Sequence, residues 1–344
     1  MAYTSVDDPT IYFNTILYTG NGSSGRGITG VGFQPDWVWI KNRDDNAPHK
    51  VFDAVRGVSK SLKTNSSDSE VNTEENGYVS AFNSDGFTLT QGSSSQQDVN
   101  KNNEKYVAWN WKAGGSGSSN TNGSINSTVS VNTAAGFSIC SWTHDGGNST
   151  IGHGLGAVPK VIITKERNNN GSWNSYFSEV GNGYRMVLQG TNAKISSSVW
   201  NSTTPTANVF SMNDSITSTM IAYCFTEIKG YSKFGSYKGT GNTNGAFVYT
   251  GFKPAWVISK RTDSSNSWRV FDTKRPGFNT ASMNFVHANL SNAEDTGDVM
   301  DLNSNGFKIR TNSTDQNTSG SPYIYMAFAE NPFVSSSGVP GTAR

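Results

Sequence analysis

The chain has 344 residues, room for two or three domains at roughly 100–200 residues each, and it is almost neutral, with 27 Lys+Arg against 26 Asp+Glu. Charged residues make up only 15% of it, no basic stripe stands out, and so nothing in the composition points to nucleic acid. The 18 Phe, 13 Tyr and 9 Trp exclude a disordered chain, because that much aromatic surface can bury a core that offsets the entropy of ordering.

The start, "MAYTSVDDPT", lacks the basic-then-apolar pattern of a secretion signal, and no apolar run approaches the ~20 residues of a membrane span. The expectation is a protein made in a cytosol, without membrane insertion. A first module then reads as short strands between Gly/Asn/Ser turns: "TILYTG", "DWVWIKN", "HKVFDAV", "KSLKTN", "YVSAFN", "FTLTQ" and "YVAWNWK". The continuous apolar start of Trp37-Val38-Trp39-Ile40 predicts a central strand covered on both faces, whereas "FTLTQ" alternates and should be half exposed. Helix is limited to a turn or two over Asp68–Asn76. "GRGITG" (Gly25–Gly30) has dinucleotide-loop spacing, but a strand follows it where that loop needs a helix.

The same order of segments returns near the end. "GFQPDWVWIKNR", "HKVFDAVRG", "FNSDGFTLT" and "KYVAWNWKAGG" are matched by "GFKPAWVISKR", "WRVFDTKRPG", "LNSNGFKIR" and "YIYMAFAENPF". A divergent third copy lies between them, in "GLGAVPKVIITKER", "NSYFSEVGNG", "NVFSM" and "TMIAYCFTEIKG". The expected organisation is module 1 over 1–114, a Gly/Ser/Asn-rich linker over 115–133, module 2 over 134–230, module 3 over 231–334 and a tail over 335–344. The fold class is all-β, with tandem antiparallel β-sandwiches of jelly-roll or concanavalin type, each burying its own aromatic residues.

Candidate sites are few. Asp53 with Arg56, and Asp272 with Arg275, recur at matched places and read first as internal ion pairs; in module 2, Ser178-Glu179 stands there. "NSDG" and "NSNG" are hairpin turns rather than calcium loops. His49, His144, His153 and His287 lack metal-ligand spacing, and His144 with Asp145 reads as a solvated hairpin loop. Neither a metal nor a cofactor is expected, and no arrangement marks an enzyme. Cys140 and Cys224 lie in apolar runs and read as buried thiols, with a disulfide the lesser alternative. Trp142, Trp173, Trp200 and Trp268 are flanked by Asn, Ser and Gly, and are the candidates for exposed ligand-binding rings.

The string "GFQPDWVWIKNR…VFDAVRG…FNSDGFTLT…YVAWNWKAGG", continued by "GLGAVPKVIITKER…YCFTEIKGYSKFGSY", resembles the repeated domains of structural proteins of marine tailed bacteriophages, from about Ala2 to Val334. The resemblance implies a non-enzymatic virion-surface protein, tail-fibre-like or lectin-like. Its implied partners are other virion proteins, further copies of itself, and a host-surface carbohydrate or receptor. The alternative it leaves is a capsid decoration or tail-scaffold protein; a polysaccharide depolymerase is a third class. It brings no catalytic residues.

Overall fold

Side chains alternate across a strand, so a run such as Trp37-Val38-Trp39-Ile40 stays dry only if something covers each face of its sheet. The computed structural model, which describes residues 3–73, 75–94 and 98–341, shows what does so. Module 1 contains β1 (Phe13–Thr19), β2 (Arg26–Thr29), β3 (Trp37–Asn42), β4 (Lys50–Asp53), β5 (Lys60–Lys63), β6 (Val71–Asn72), β7 (Tyr78–Asn83), β8 (Gly86–Thr90) and β9 (Lys105–Trp111). Module 2 contains β10 (Ser118–Asn120), β11 (Ser127–Asn132), β12 (Phe137–Gly152), β13 (Val161–Glu166), β14 (Asn174–Phe177), β15 (Tyr184–Val187), β16 (Ile195–Ser196) and β17 (Val209–Phe225). Module 3 contains β18 (Ser232–Lys238), β19 (Phe247–Tyr249), β20 (Phe252–Arg261), β21 (Arg269–Asp272), β22 (Met283–His287), β23 (Asp295–Gly297), β24 (Met300–Asn303), β25 (Gly306–Ile309) and β26 (Pro322–Pro332). Among the described residues, helix is confined to single turns at Pro9–Ile11 and Thr314–Asn317. The turn expected over 68–76 contains β6 instead, and residue 74 lies outside the described residues.

One antiparallel strand order is used three times: β1-β9-β3-β4-β5-β6, β12-β17-β13-β14-β15-β16 and β18-β26-β20-β21-β22-β23. In modules 1 and 3 a three-stranded layer, β2-β8-β7 or β19-β25-β24, packs on the outer face of this sheet. Module 2 makes that layer by folding one hairpin. Its β12 and β17 pair along their whole length with a bulge at Asp145/Gly147, yet Trp142 and Phe210, eight pairs apart on that ladder, have ring centroids 5.7 Å apart. The outer half of the hairpin must therefore bend back over the inner half. The segment expected as a linker, 115–133, supplies β10 and β11 to this sheet, so it is not a flexible connection. No sheet closes into a barrel among the described residues.

The inner faces of the three sheets meet in one common core. From module 1 it takes Trp37, Trp39, Trp109 and Trp111; from module 2 Ile163, Tyr223 and Phe225; from module 3 Trp256, Ile258 and Phe328. Alternate residues of the same strands, such as Val38 and Ile40, Ile162 and Cys224, or Val257 and Ala327, point outward into each module's own core. The expectation that each module hides its rings in its own interior is corrected: half of every central strand belongs to the shared core. Burial on both faces follows from the apolar run, but the run does not say whether the cover is local or comes from another module.

Equivalent contacts close the three modules into a ring. The strand registers align His49 with Trp173 and Trp268, and Lys63 with Val187 and His287. The Trp173 indole N–H donates to the Lys63 carbonyl at 2.8 Å, the Trp268 indole N–H to the Val187 carbonyl at 3.0 Å, and the His49 Nε2 lies 3.0 Å from the His287 carbonyl. Module 2 thus holds module 1, module 3 holds module 2, and module 1 holds module 3, a pseudo-threefold arrangement.

A polar network lies on two of the three seams. Asp53 pairs with Arg56 and accepts from the Tyr223 hydroxyl of module 2 at 2.7 Å. Asp272 pairs with Arg275 and accepts from the Trp109 indole of module 1 at 3.0 Å. Glu70 then bridges Arg56 to Arg167, and Glu294 bridges Arg275 to Arg43. On the third seam the equivalent positions are Phe177, Val180, Met326, Lys194 and Thr262, in place of the Asp, Arg, ring donor, Glu and Arg. Acid, base and donor are lost together, so no buried charge is stranded. The residue matching Asp53 is Phe177, which corrects the assignment to Ser178-Glu179.

These seams make a testable demand. Replacing Asp272 with Ala leaves the fully buried Arg275 with Glu294 in place of two carboxylates and the Trp109 N–H without an acceptor, and should cost about 3 kcal/mol of unfolding free energy. The double change Asp272→Ala/Arg275→Met, which removes the charge with its partner, should be less destabilising than the single change by urea titration. A double mutant weaker than the single one refutes this account.

Candidate functional site

The four tryptophans singled out from the sequence are all buried, each 3% exposed or less, so none is a surface contact. Trp173 and Trp268 are seam rings, as described above. The Trp200 indole N–H donates to the Tyr184 carbonyl at 3.0 Å, and its ring meets Tyr176 edge-on. Trp142 packs in the core of module 2 against Phe210. The backbone of β12 at Trp142 backs a shallow groove of about 290 Å³ with Ser119, Thr128, Ser141, Thr143 and Thr219, but strand alternation turns its indole to the opposite face. Alignment of the repeats carried a signal for two of the four, since Trp173 and Trp268 occupy the place of His49, just ahead of a strand.

Other reactive side chains are also built into the scaffold. His49 accepts the Trp39 indole N–H at 2.8 Å, and burial holds its pKa well below the usual imidazole range. His144 is buried within β12 with Nε2 3.1 Å from the Asp214 carbonyl, which corrects the solvated-loop expectation. Cys140 and Cys224 are free buried thiols, and burial raises the Cys224 pKa well above its usual value. Among the described residues, no group of three or more His, Cys, Asp or Glu is placed to hold a metal ion.

Three repeat-equivalent lysines look reactive until their hydrogen bonds are followed. Lys41, Lys165 and Lys260 are buried at the ends of β3, β13 and β20. Lys165 Nζ donates to the carbonyls of Glu166 at 2.7 Å and Asn169 at 3.3 Å; Lys41 does the same to Asn42 and Asp45, and Lys260 to Arg261 and Ser264. Each ammonium thus clasps the loop that leaves its strand. Burial is the main cause that lowers each of the three pKa values to about 8.

An open cleft of about 380 Å³ lies where the N-terminal arm crosses the junction of modules 2 and 3. Its walls include Tyr3, Tyr249, Glu227, Lys229 and Lys233. The Thr4 hydroxyl donates to the Lys229 carbonyl at 2.9 Å, which pins the arm. Gly230 is required there: its φ is +79°, and a Cβ would sit 2.5 Å from Thr4 Oγ1. The Tyr3 and Tyr249 hydroxyls are hydrogen-bonded to each other, and burial together with that bond pushes the Tyr3 pKa up to about 12. Lys229 Nζ lies over the Tyr3 ring, 5.0 Å from its centroid. Glu227 accepts the Phe234 N–H at 2.9 Å and lies 3.4 Å from Lys233 Nζ.

Tyr249 is 54% exposed and Phe247, on the same face of β19, is 47% exposed, with buried Val248 between them. Exposed rings beside hydroxyl, ammonium and carboxylate groups make a surface for stacking and hydrogen bonding. Sequence reading missed these residues because "AFVYTGF" looks like core.

Residues 8–332 match a family described as a domain of unknown function, DUF7483, and the chain belongs to that family. No curated protein and no solved structure matches the chain. The family match spans all three repeats, in keeping with their shared core.

The buried lysines and tyrosines fix a pH dependence. Lysine titrates near 10.5 when unfolded and about 8 here, so between those values the folded chain binds fewer protons and stability rises with pH. Tyr18, Tyr223 and Tyr237 are raised well above 10.0 by burial, so above about pH 10 the unfolded chain loses protons first and stability falls. Urea midpoints should be higher at pH 9.5 than at pH 7.5 and lower again at pH 11. No rise between the first two would refute the lysine assignment.

Proposed function

We propose that this member of the DUF7483 family is a non-enzymatic virion-surface protein that binds a host-surface glycan, with the Tyr3–Tyr249 cleft as its site. The observation that carries this reading is the cleft itself: two tyrosines, one of them more than half exposed, beside two ammonium groups and a carboxylate. A saccharide ring has an apolar C–H face and a hydroxyl rim, so it needs flat apolar area bordered by hydrogen-bonding groups. The sequence resemblance to structural proteins of tailed phages and the rigid tripled β scaffold support the setting, as does the reading of the outer modules as lectin-like sandwiches of jelly-roll or concanavalin type. In this reading the chain is made in the host cytoplasm, assembled with other virion proteins and displayed on the particle as part of a tail appendage.

A second reading, a decoration or scaffold protein that binds only virion components, is favoured by the closed ring of modules. The full-length protein, labelled and applied to a panel of bacterial surface polysaccharides, separates the two. Retention by some of them, lost in Tyr249→Ala, is expected. Stoichiometric binding to virion shell or tail with no polysaccharide retained would replace the first reading with the second.

A further inference from the structure

The third seam, between modules 2 and 3, differs from the others in more than its missing charges. Cross-strand register aligns Ser175 with Val51 and Val270, so in module 2 a hydroxyl stands where the other repeats place a branched apolar side chain. Across the seam, Met326 stands where Trp109 and Tyr223 present large rings. Between them lies an internal cavity of about 10 Å³, room for the centre of one water molecule. Ser175 and Phe177 of module 2, Trp256 and Met326 of module 3, and Trp37 and Trp111 of module 1 are among its walls, and every side chain that lines it is buried. The walls are mostly apolar, yet they carry polar atoms with no partner in the chain. Ser175 is 1% exposed and its Oγ makes no hydrogen bond, and the indole N–H groups of Trp37, Trp111 and Trp256 are likewise buried without an acceptor. Two other rings of the same wall are satisfied, since Trp39 donates to His49 and Trp268 to the Val187 carbonyl. Unpaired polar groups in a dry interior are costly, and folded proteins pair nearly all of them.

We infer that this cavity is a binding site for a single water molecule, held by the Ser175 hydroxyl and by the indole N–H of one or more of Trp37, Trp111 and Trp256. Water both donates and accepts, so it can serve the hydroxyl and an indole together. A halide is larger than the space. It would also bring a buried negative charge to a hub whose arginines, Arg56 and Arg275, are already paired with Asp53 and Asp272. The water gives the third seam a polar contact of its own, in the region where the other two seams set a carboxylate against a ring donor.

A crystal structure of the full-length protein, at a resolution that orders internal waters and with either chloride or bromide in the buffer, tests this. One density peak is expected within hydrogen-bonding distance of Ser175 Oγ and of at least one of the three indole nitrogens, with no anomalous signal in bromide. Ser175→Val, which restores the residue of the other two repeats, should fill the space and abolish the peak. Ser175→Ala, which keeps the space and removes one partner, should lower the peak's occupancy. Should the valine variant fail to fold, the wild-type and Ser175→Ala maps still decide. A wild-type cavity without density overturns the inference, and so does a bromide signal, which would make the ligand an anion. A peak unchanged in Ser175→Ala overturns the part given to the hydroxyl.

Discussion

Each central strand of the repeat serves two hydrophobic cores at once, and this double duty organises the molecule. Trp37 and Trp39 point one way, Val38 and Ile40 the other. A three-stranded layer or a bent hairpin is enough to cover the outer face. The inner face carries the largest side chains, and each module covers it with the inner faces of the other two. At roughly 25 cal/mol per Å² of apolar area, uncovering it would expose rings that make up much of the chain's hydrophobic surface. The three modules are therefore parts of one folding problem, and the family match over all of them agrees with this.

Apolar burial does not fix orientation, because greasy faces slide. The seams supply direction. Each is marked by a ring N–H that reaches one backbone carbonyl of the next module, and two also carry an Asp–Arg pair joined through a glutamate to an arginine across the boundary. On the third seam Phe177, Val180 and Met326 replace the buried acid, base and ring donor. A buried ion pair is weak evidence for net stability, and the third seam shows that the ring closes without one. The two networks instead distinguish otherwise similar modules, since a carboxylate placed against Phe177 or Met326 would be stranded.

Symmetry breaks at the N-terminal arm. Tyr3 and Thr4 lie across the 226–230 segment and create a cleft with no counterpart described in the other modules. A recognition site at such a place is free to differ from the repeat, because its walls are not needed for the common core. The lysine clasps show the opposite behaviour: Lys41, Lys165 and Lys260 keep one geometry in all three modules because each closes the same loop.

The all-β class, the three repeats, the paired hairpin turns and the Asp–Arg pairs were legible in the amino-acid order, because strand alternation, turn chemistry and charge pairing are local properties. The double burial of Trp37–Ile40 was legible too, whereas that of Lys41 and Asn42 at the polar end of the strand was not. The role of Trp173 and Trp268 was not: Asn, Ser and Gly neighbours suggest exposure, yet a residue at a strand entry is buried if another module lies over it. Phe247 and Tyr249 erred the other way, since an apolar run on an edge strand has nothing on its outer side. The chain order determined which residues form strands and which faces of them are apolar. Only the tertiary structure decided which module covers which face, because that depends on contacts such as the three seam bonds, between residues 81, 110 and 238 positions apart, and no local pattern encodes them.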